Sequence, residues 1–415
     1  MKTQEKTAVR EVFFTTAVGI VAEYNPFHSG HARQLALIRG AFGEDTPVVA
    51  VLSGDFVQRG EAACFSKSAR AEAAVRCGVS LVLELPLPWC LSSAEGFARG
   101  AVGLLRSAGV VDVISFGSES ADLASLRRCA EALDSPAFPA ALRERLKNGA
   151  PFAAARERAL ADLTDRETAA CLGRPNDLLA VEYIRAAGPG LGFFPVQREG
   201  PDHDGAGSAL SLRASMASGD GWLESVPPPA RAVFEREARL GRGPVTEETL
   251  CTALMARLRD RGEEDYARVP DVSEGLEHRL FRAVREETSP SRAAMAAKSR
   301  RYALSRLRRA LMCAALGVEK DMAQGTPPYL RVLAMDGRGE ALLRRMKKNA
   351  ALPLVTRSGS VLRQDEPIRA VFELGSRAHD LYVLGFGAED QRRGGEDYRT
   401  APFIAGREPS PAERH

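Results

Sequence analysis

The 415-residue chain carries 57 Lys+Arg against 54 Asp+Glu, a formal net charge of +3, with 45% hydrophobic and 27% charged residues. These proportions exclude a largely disordered or fibrous chain, and the length exceeds the ~250–300 residues at which single cores stop growing, so two or three domains are expected. No uninterrupted apolar run approaches the ~20 residues that span a bilayer, and so balanced a charge requires any nucleic-acid footprint to be local.

Residues 1–15 read as a flexible N-terminal extension. The start imitates a signal peptide, with Lys2 and Lys6, an apolar stretch and then Ala22. Glu5 and Glu11 spoil the basic region, and the stretch runs straight into EYNPFHSGH, so Thr16–Tyr24 is expected to be a buried strand. Further strands are predicted at Pro47–Leu52, Leu81–Leu85, Val110–Phe116 and Phe193–Gln197. They are rich in Val, Ile and Leu without polar alternation, as in strands covered on both faces. Helices are predicted at His31–Arg39, Lys67–Cys77 and Ala94–Ala108, the last two ended by Gly78 and Gly109. This rhythm implies an α/β fold, a doubly wound parallel sheet of Rossmann-like type over residues 16–225. After Val226-Pro227-Pro228-Pro229 the texture becomes helical, with helices at Thr249–Asp260, Leu276–Glu287 and Asp336–Lys348 and a short strand at Leu352–Thr356. Residues 226–386 are therefore expected to form a mainly α-helical domain with a small α/β end, and 387–415 a polar, partly mobile tail.

The sharpest local signal follows the first strand: Glu23-Tyr24-Asn25-Pro26-Phe27-His28-Ser29-Gly30-His31. A strand end, a Pro-containing turn and H-x-G-H opening a helix make a phosphate site, because the helix N-terminus offers free N–H donors and partial positive charge. Gly30 would let the backbone approach a ligand, and two imidazoles three residues apart could donate to phosphate oxygens, more strongly if protonated. A metal pair or plain surface residues are the alternatives, but no third ligand lies at a helpful spacing, so no metal site is expected. Neither G-x-G-x-x-G nor G-x-x-x-x-G-K-[ST] occurs, and Gly188–Gly192 reads as a turn. The seven widely spaced cysteines form no C-x-x-C pair, which points to reduced thiols in a cytoplasmic protein.

Other residues carry two readings each. Asp55 and Arg59 suit a substrate-facing loop or a surface ion pair. Lys67 and Arg70, one helical turn apart, could face a polyphosphate or solvent. Asn176 could cap the following helix. Lys298, Arg300, Arg301, Arg306, Arg308 and Arg309 form a basic stretch without an acid, and Arg344, Arg345, Lys347 and Lys348 a second cluster. With Tyr302 and Tyr329 available to stack on bases, these form an RNA-binding footprint or a solvated helix face.

Strand followed by H-x-G-H resembles the nucleotidylyltransferase superfamily, whose members split ATP between the α and β phosphates. The longer words GIVAEYNPFHSGH (19–31), LSGDFVQRGE (52–61), KSARAE (67–72), LVLELP (81–86), FGSE (116–119) and PNDL (175–178), with the segments 298–309 and 329–348, resemble the bacterial tRNA-methionine cytidine acetate ligases over about residues 17–385. The resemblance implies an ATP-dependent ligase that activates acetate as acetyl-adenylate and acetylates the wobble cytidine of elongator methionine tRNA. It implies His28 and His31 as catalytic residues. It places ATP on Val21, Ala22, Glu23, Tyr24, Asn25, Pro26, Phe27, His28, Ser29, Gly30 and His31, and on Gly117, Asn176, Arg198, Ser208 and Arg213. Ser208–Arg213 is similar to the superfamily's second phosphate word but has Leu210 where Ser or Thr is usual, which weakens a hydroxyl contact there. Mg²⁺ is expected to screen the triphosphate, although no carboxylate cage for it stands out. The runner-up is a small-molecule adenylyltransferase sharing H-x-G-H, which would not need the basic helical half. A third class is a non-catalytic RNA-binding protein. No feature sets an oligomeric state.

Overall fold

The structure, a computed structural model, describes residues 16–147, 151–198, 212–213, 215–216 and 222–407. Apolar runs build its centre. In chain order β1 (Val18–Ala22) leads into helix α1 (Ser29–Phe42), and β2 (Val48–Ser53) into a hairpin of β3 (Phe56–Val57) and β4 (Glu61–Ala62). Helix α2 (Lys67–Arg76), β5 (Leu81–Leu85), the single turn α3 (Leu87–Cys90), α4 (Ala94–Ser107) and β6 (Val113–Ser118) follow. Then come α5 (Leu123–Leu133), α6 (Phe138–Leu146), α7 (Phe152–Leu163), α8 (Arg166–Ala169), α9 (Pro175–Ala187) and β7 (Gly192–Gln197). Strands β5-β2-β1-β6-β7 are parallel neighbours in that order. The chain fills one side of β1 first and the other side afterwards, so the order reverses between β1 and β6. In doubly wound sheets, ligands bind at the carboxyl ends of strands beside such a switch point.

Alternation along the strands divides the core. Val49 and Val51 on β2 pack with Phe97, Leu104 and Leu105 of α4 and with Ala180 and Val181 of α9. Val48, Ala50 and Leu52 pack on the other face with Leu35, Ile38 and the alanines of α2. The predicted strand at 110–116 begins instead at Val113. Gly109 turns with φ +65°, and pairing starts only after Asp112, whose N–H donates to Ala17 O at 2.9 Å.

The helical half consists of α10 (Pro228–Arg239), α11 (Glu247–Arg259), α12 (Glu263–Ala267), α13 (Leu276–Glu286), α14 (Pro290–Ala297) and α15 (Leu304–Leu316). The chain then returns to the sheet. β8 (Leu330–Met335), all six residues buried, pairs antiparallel with β5 and is followed by α16 (Gly337–Asn349) and β9 (Leu354–Val355) on β8. Helix α17 (Ile368–Val383) rejoins the helical core, and β10 (Phe403–Ile404) adds parallel to β8. The sheet is thus parallel at its centre and mixed at one edge. Neither domain boundary drawn from the sequence follows this layout. Residues 330–335 belong to the sheet of the first half, and Phe56, Leu87 and Leu91 of the first half lie in the helical core with Tyr382. Within the expected tail Asp397 is 2% exposed.

That aspartate belongs to a buried ionic cluster joining the two halves. Lys67 Nζ reaches Glu84 Oε1 and Asp397 Oδ2, both at 2.8 Å. Arg331 bridges the same two carboxylates at 2.7 Å each. Asp55 accepts from the Lys67 N–H at 2.7 Å and lies 2.8 Å from His379 Nδ1. Burial, the largest single influence, would raise the Asp55 pKa, but His379 and Lys67 together outweigh it and hold it at about 2. Burial likewise opposes charge on His379, and Asp55 outweighs it, raising that pKa. Asp55 therefore pairs with His379 and Lys67, while Arg59 is exposed. Arg70 is 0% exposed. Its guanidinium donates to the carbonyls of Phe65 (2.9 Å), Glu23 (2.5 Å), Ser53 (3.1 Å) and Gly54, gathering the carboxyl ends of β1 and β2. Lys67 and Arg70 face neither a polyphosphate nor solvent.

Candidate active site

The turn after β1 is held by packing beneath it. Tyr24 takes a left-handed φ of 45°, a strained value for an aromatic residue, and a cis Asn25–Pro26 bond follows. Tyr24, Pro26 and Phe27 are buried, whereas Ser29 and Gly30 are exposed. His28 is the N-cap of α1. Its Nδ1 accepts from Gly30 N–H at 3.1 Å, and His31 Nδ1 accepts from His28 N–H at 3.1 Å. The pair makes a capping box out of imidazoles. Its chemical consequence is a fixed tautomer. A ring nitrogen that accepts carries no proton, so each neutral imidazole holds its proton on Nε2 and presents an Nε2–H donor.

Protonation is disfavoured. Burial lowers the His28 pKa to about 4, with the Arg198 charge adding to it. Burial, then His28 and Arg198, push His31 well below its ordinary value. The expectation of stronger donation from protonated imidazoles is corrected accordingly: a second proton would sit on the very nitrogens that cap the helix. Gly30 also serves the ring beside it. A Cβ there would lie 2.8 Å from His28 Cε1, so the glycine makes room for the imidazole. The Ser29 N–H has no partner among the described residues and remains open at the helix start.

Across the switch point, the carboxyl ends of β6 and β7 and the start of α9 form the other wall. Glu119 accepts from Asn176 N–H (3.1 Å), Asn176 Nδ2 (2.7 Å) and Asp177 N–H (2.8 Å). Asp177 accepts in return from Glu119 N–H at 2.9 Å and from the Ser118 hydroxyl. Asn176 is therefore not the cap of α9; Glu119 supplies the acceptors from the neighbouring loop. Arg198 continues β7, donating its N–H to Ser118 O at 3.0 Å, with Nη1 3.5 Å from Asn176 Oδ1. Gly117 leaves a ledge beside it, where a Cβ would stand 3.5 Å from Arg198 Cγ. His28, His31, Gly117, Asn176 and Arg198 thus meet at one sheet edge. Val21 and Ala22 supply the strand that carries the turn, registered on Val51 and Leu52. Glu23 is half-buried, accepts from Gln58 N–H at 2.7 Å, and has its pKa raised by burial.

Arg213 does not point freely at the histidines. Its Nη1 donates to Asn25 O at 3.0 Å, and Nη2 lies 3.6 Å from Glu61 Oε2. Ser208 lies outside the described residues. Sequence reasoning gave no role to Glu119 or Glu61, although each stands in a word that carried the resemblance, FGSE and LSGDFVQRGE.

The basic stretch is partly internal. Arg308 Nη1 pairs with Glu61 Oε1 at 3.0 Å, Arg309 with Asp271 at 3.5 Å, and Arg306 Nε donates to Asp271 O at 2.8 Å. Arg301 pairs with Glu274 at the surface. Lys298 and Arg300 are exposed. Tyr302 and Tyr329 are 5% and 2% exposed, which leaves neither ring available to stack on a base. Lys347 and Lys348 are exposed near the end of α16, where Ala351 N–H donates to Ser107 O at 2.8 Å. Ser107 ends α4 just before β6 begins, so this second cluster lies at the sheet edge opposite His28.

No helix among the described residues is long and apolar enough to cross a membrane. The family model described as HIGH Nucleotidyl Transferase matches residues 15–397. The tRNA(Met) cytidine acetate ligase of Syntrophotalea carbinolica is 38% identical over 93% of this chain and 98% of its own length. That of Syntrophomonas wolfei is 34% identical over the same shares. The solved structure of Thermotoga maritima TmcAL bound with alpha-thio ATP superposes with a TM-score of 0.87 at 34% identity, covering 94% of this chain and 99% of the other. The chain belongs to the HIGH nucleotidyl transferase family and, within it, to the tRNA(Met) cytidine acetate ligases.

Proposed function

We propose that this chain is an ATP-dependent ligase, working in the cytoplasm, that activates acetate as acetyl-adenylate and places the acetyl group on N4 of the wobble cytidine of elongator methionine tRNA. In the first step an acetate oxygen attacks the α phosphorus. The bond to the β phosphate breaks, and pyrophosphate leaves with the electron pair. The protein's work is positioning and electrostatics. The Nε2–H groups of His28 and His31 and the Ser29 N–H at the start of α1 donate to phosphate oxygens. Arg198 supplies positive charge from β7, and Gly117 and Asn176 form the shelf for the nucleoside. Arg213 is a positioning residue that holds the turn through Asn25 O. In the second step the N4 amine attacks the acetyl carbonyl. The acyl C–O bond breaks, AMP leaves, and the amine gives up one proton. The base must leave its stack, which an anticodon loop permits at small cost.

Among the described residues no group of three His, Cys, Asp or Glu side chains could hold a metal ion. They build no cation site, and no step above runs through one. Magnesium would arrive on the phosphates of ATP as part of the substrate. RNA would be held electrostatically by Lys298, Arg300 and Arg301, while Arg306, Arg308 and Arg309 fix the helices that display them.

The observation that carries this reading is the pair of neutral imidazoles whose Nε2–H donors are set by the capping box at the switch point of a ligase-family sheet. Acetate labelled with ¹⁸O in both oxygens tests it, because attack on the α phosphorus leaves one acetate oxygen in AMP after transfer. AMP carrying one ¹⁸O is expected. Unlabelled AMP formed alongside acetylated RNA would contradict the acetyl-adenylate route.

A further inference from the structure

The second step leaves one proton without a destination. As N4 joins the acetyl carbon the amine becomes cationic, and it must lose a proton before a neutral amide remains. Neither histidine takes it. Both Nδ1 atoms already accept from backbone N–H groups of the capping box, and both Nε2 atoms carry hydrogen. The carboxylates around the site are committed as well. Glu119 accepts three N–H groups of Asn176 and Asp177, and Asp177 pairs with Arg174 at 2.6 Å. Asp55 is held by His379 and Lys67, Glu84 by Lys67 and Arg331, and Glu61 by Arg308 and Arg213.

Glu23, the residue after β1, differs. Its Oε1 accepts from Gln58 N–H at 2.7 Å, and its main-chain carbonyl accepts from Arg70 Nη1 at 2.5 Å, so the residue is anchored at both ends. Oε2 has no partner among the described residues and is not sealed from solvent. Burial raises the pKa of this carboxyl against the charges of Arg213, Arg59 and Arg70, which makes it a stronger base. Strand alternation sets its direction. Ala22 and Tyr24 pack on the α1 side of the sheet with Leu35 and Ile38, whereas Val21 packs on the opposite side with α4 and α9. Glu23 continues the Val21 side, where its charge acts on Tyr183 of α9 and Cys90 of α3. In the reaction proposed above the start of α1 holds the phosphates, and displacement at phosphorus runs in line, so the acyl group lies on the side away from α1. Arg59, exposed beside Gln58 at the tip of the β3–β4 hairpin, makes no hydrogen bond or ion pair among the described residues, which leaves a cation for an RNA phosphate arriving there.

We propose that Glu23 is the general base of acetyl transfer: its Oε2 takes the proton from N4 as the N4–C bond forms and the acyl C–O bond to AMP breaks, and gives it to water afterwards. The proposal rests on the ligase reading, and its test separates the two. Acetate is already a carboxylate, so its attack on the α phosphorus needs no base, and the two steps should part company in the variants. Glu23→Gln keeps the size of the side chain and its contact with Gln58 but takes no proton. Glu23→Asp keeps a base and draws it back by one methylene. Each full-length variant is assayed for acetate-dependent ATP–pyrophosphate exchange without RNA, and for single-turnover transfer of labelled acetate to an unmodified tRNA(Met) transcript against pH. In Glu23→Gln transfer is expected to fall ~10²–10³-fold while exchange falls about tenfold at most. Wild-type transfer should rise with pH through a limb above the ordinary ~4.3 of glutamate, a limb kept in Glu23→Asp and absent from Glu23→Gln. Near-wild-type transfer by Glu23→Gln, exchange falling in parallel with transfer, or a limb that persists in Glu23→Gln overturns the proposal. If Glu23→Gln fails to fold, as its melting temperature will show, Glu23→Asp decides, since its transfer must fall about tenfold further than its exchange. A wild-type protein that leaves RNA unlabelled refutes the ligase reading and this base with it, whereas RNA labelled at the wild-type rate by Glu23→Gln refutes the base alone.

Discussion

Replacing His31 separates two roles that the structure gives to one ring. Nδ1 accepts from the His28 N–H at 3.1 Å, and Nε2 presents the donor. His31→Ala loses both. It leaves the N-cap N–H without its acceptor, which costs ~0.5–2 kcal/mol of stability. It also removes one preorganised donor from the phosphates, worth ~10²–10³-fold in acetyl-adenylate formation. His31→Asn places an amide oxygen near the position of Nδ1 and nothing at that of Nε2. It should therefore melt close to the wild type and still lose ~10²-fold in rate. His31→Gln can set an amide N–H near the position of Nε2 and should recover part of that loss. The assays are acetate-dependent ATP–pyrophosphate exchange and thermal unfolding on the same preparations. Near-wild-type exchange by a folded His31→Asn protein would refute the assignment of Nε2–H as the working donor.

Because burial and Arg198 hold both imidazoles neutral, the exchange rate should show no histidine limb near pH ~6.5. A limb there that vanishes in His31→Gln would contradict the neutral tautomer. His379 behaves oppositely in stability. Its pKa is raised when folded, so its contribution is full below ~6.5 and lost as pH rises through the folded value; urea unfolding against pH should show this slope flattened in Asp55→Asn. Gly60→Ala must place a Cβ about 2.5 Å from the Arg308 backbone at φ +76°, so the hairpin should part from α15 at a cost of ~1–3 kcal/mol, read by melting. Changing Lys298, Arg300 and Arg301 to Ala should flatten the salt dependence of tRNA binding without lowering the melting temperature, whereas Arg306→Ala and Arg309→Ala should lower it.

The parts legible in the sequence are those that local rules determine. β1 and β2 stand out as apolar runs and β5 as one interrupted only by Glu84, because both faces are covered, and H-x-G-H marks a helix start whatever surrounds it. What escaped depends on partners far along the chain. β8 pairs with β5 from the far side of the helical half and was absorbed into a helical texture. Lys67 and Arg70 sit in KSARAE, which reads as a solvated helix until the carboxylates of Glu84 and Asp397 and the carbonyls at the strand ends are in place. The basic stretch at 298–309 contains no acid of its own, but the fold brings Asp271, Glu274 and Glu61 to it. The fixed tautomer of His28 and His31 follows from two hydrogen bonds that spacing alone does not reveal.

The most direct test of the whole account is the fate of the acetyl group. The protein is incubated with ATP, carbon-labelled acetate and unmodified tRNA, and the RNA is then digested to nucleosides. The account predicts label in one nucleoside alone, an acetylated cytidine from the anticodon loop of methionine tRNA, formed one for one with AMP and pyrophosphate. RNA free of label, with pyrophosphate released instead on addition of a phosphorylated small molecule, would contradict it and make the chain a small-molecule adenylyltransferase.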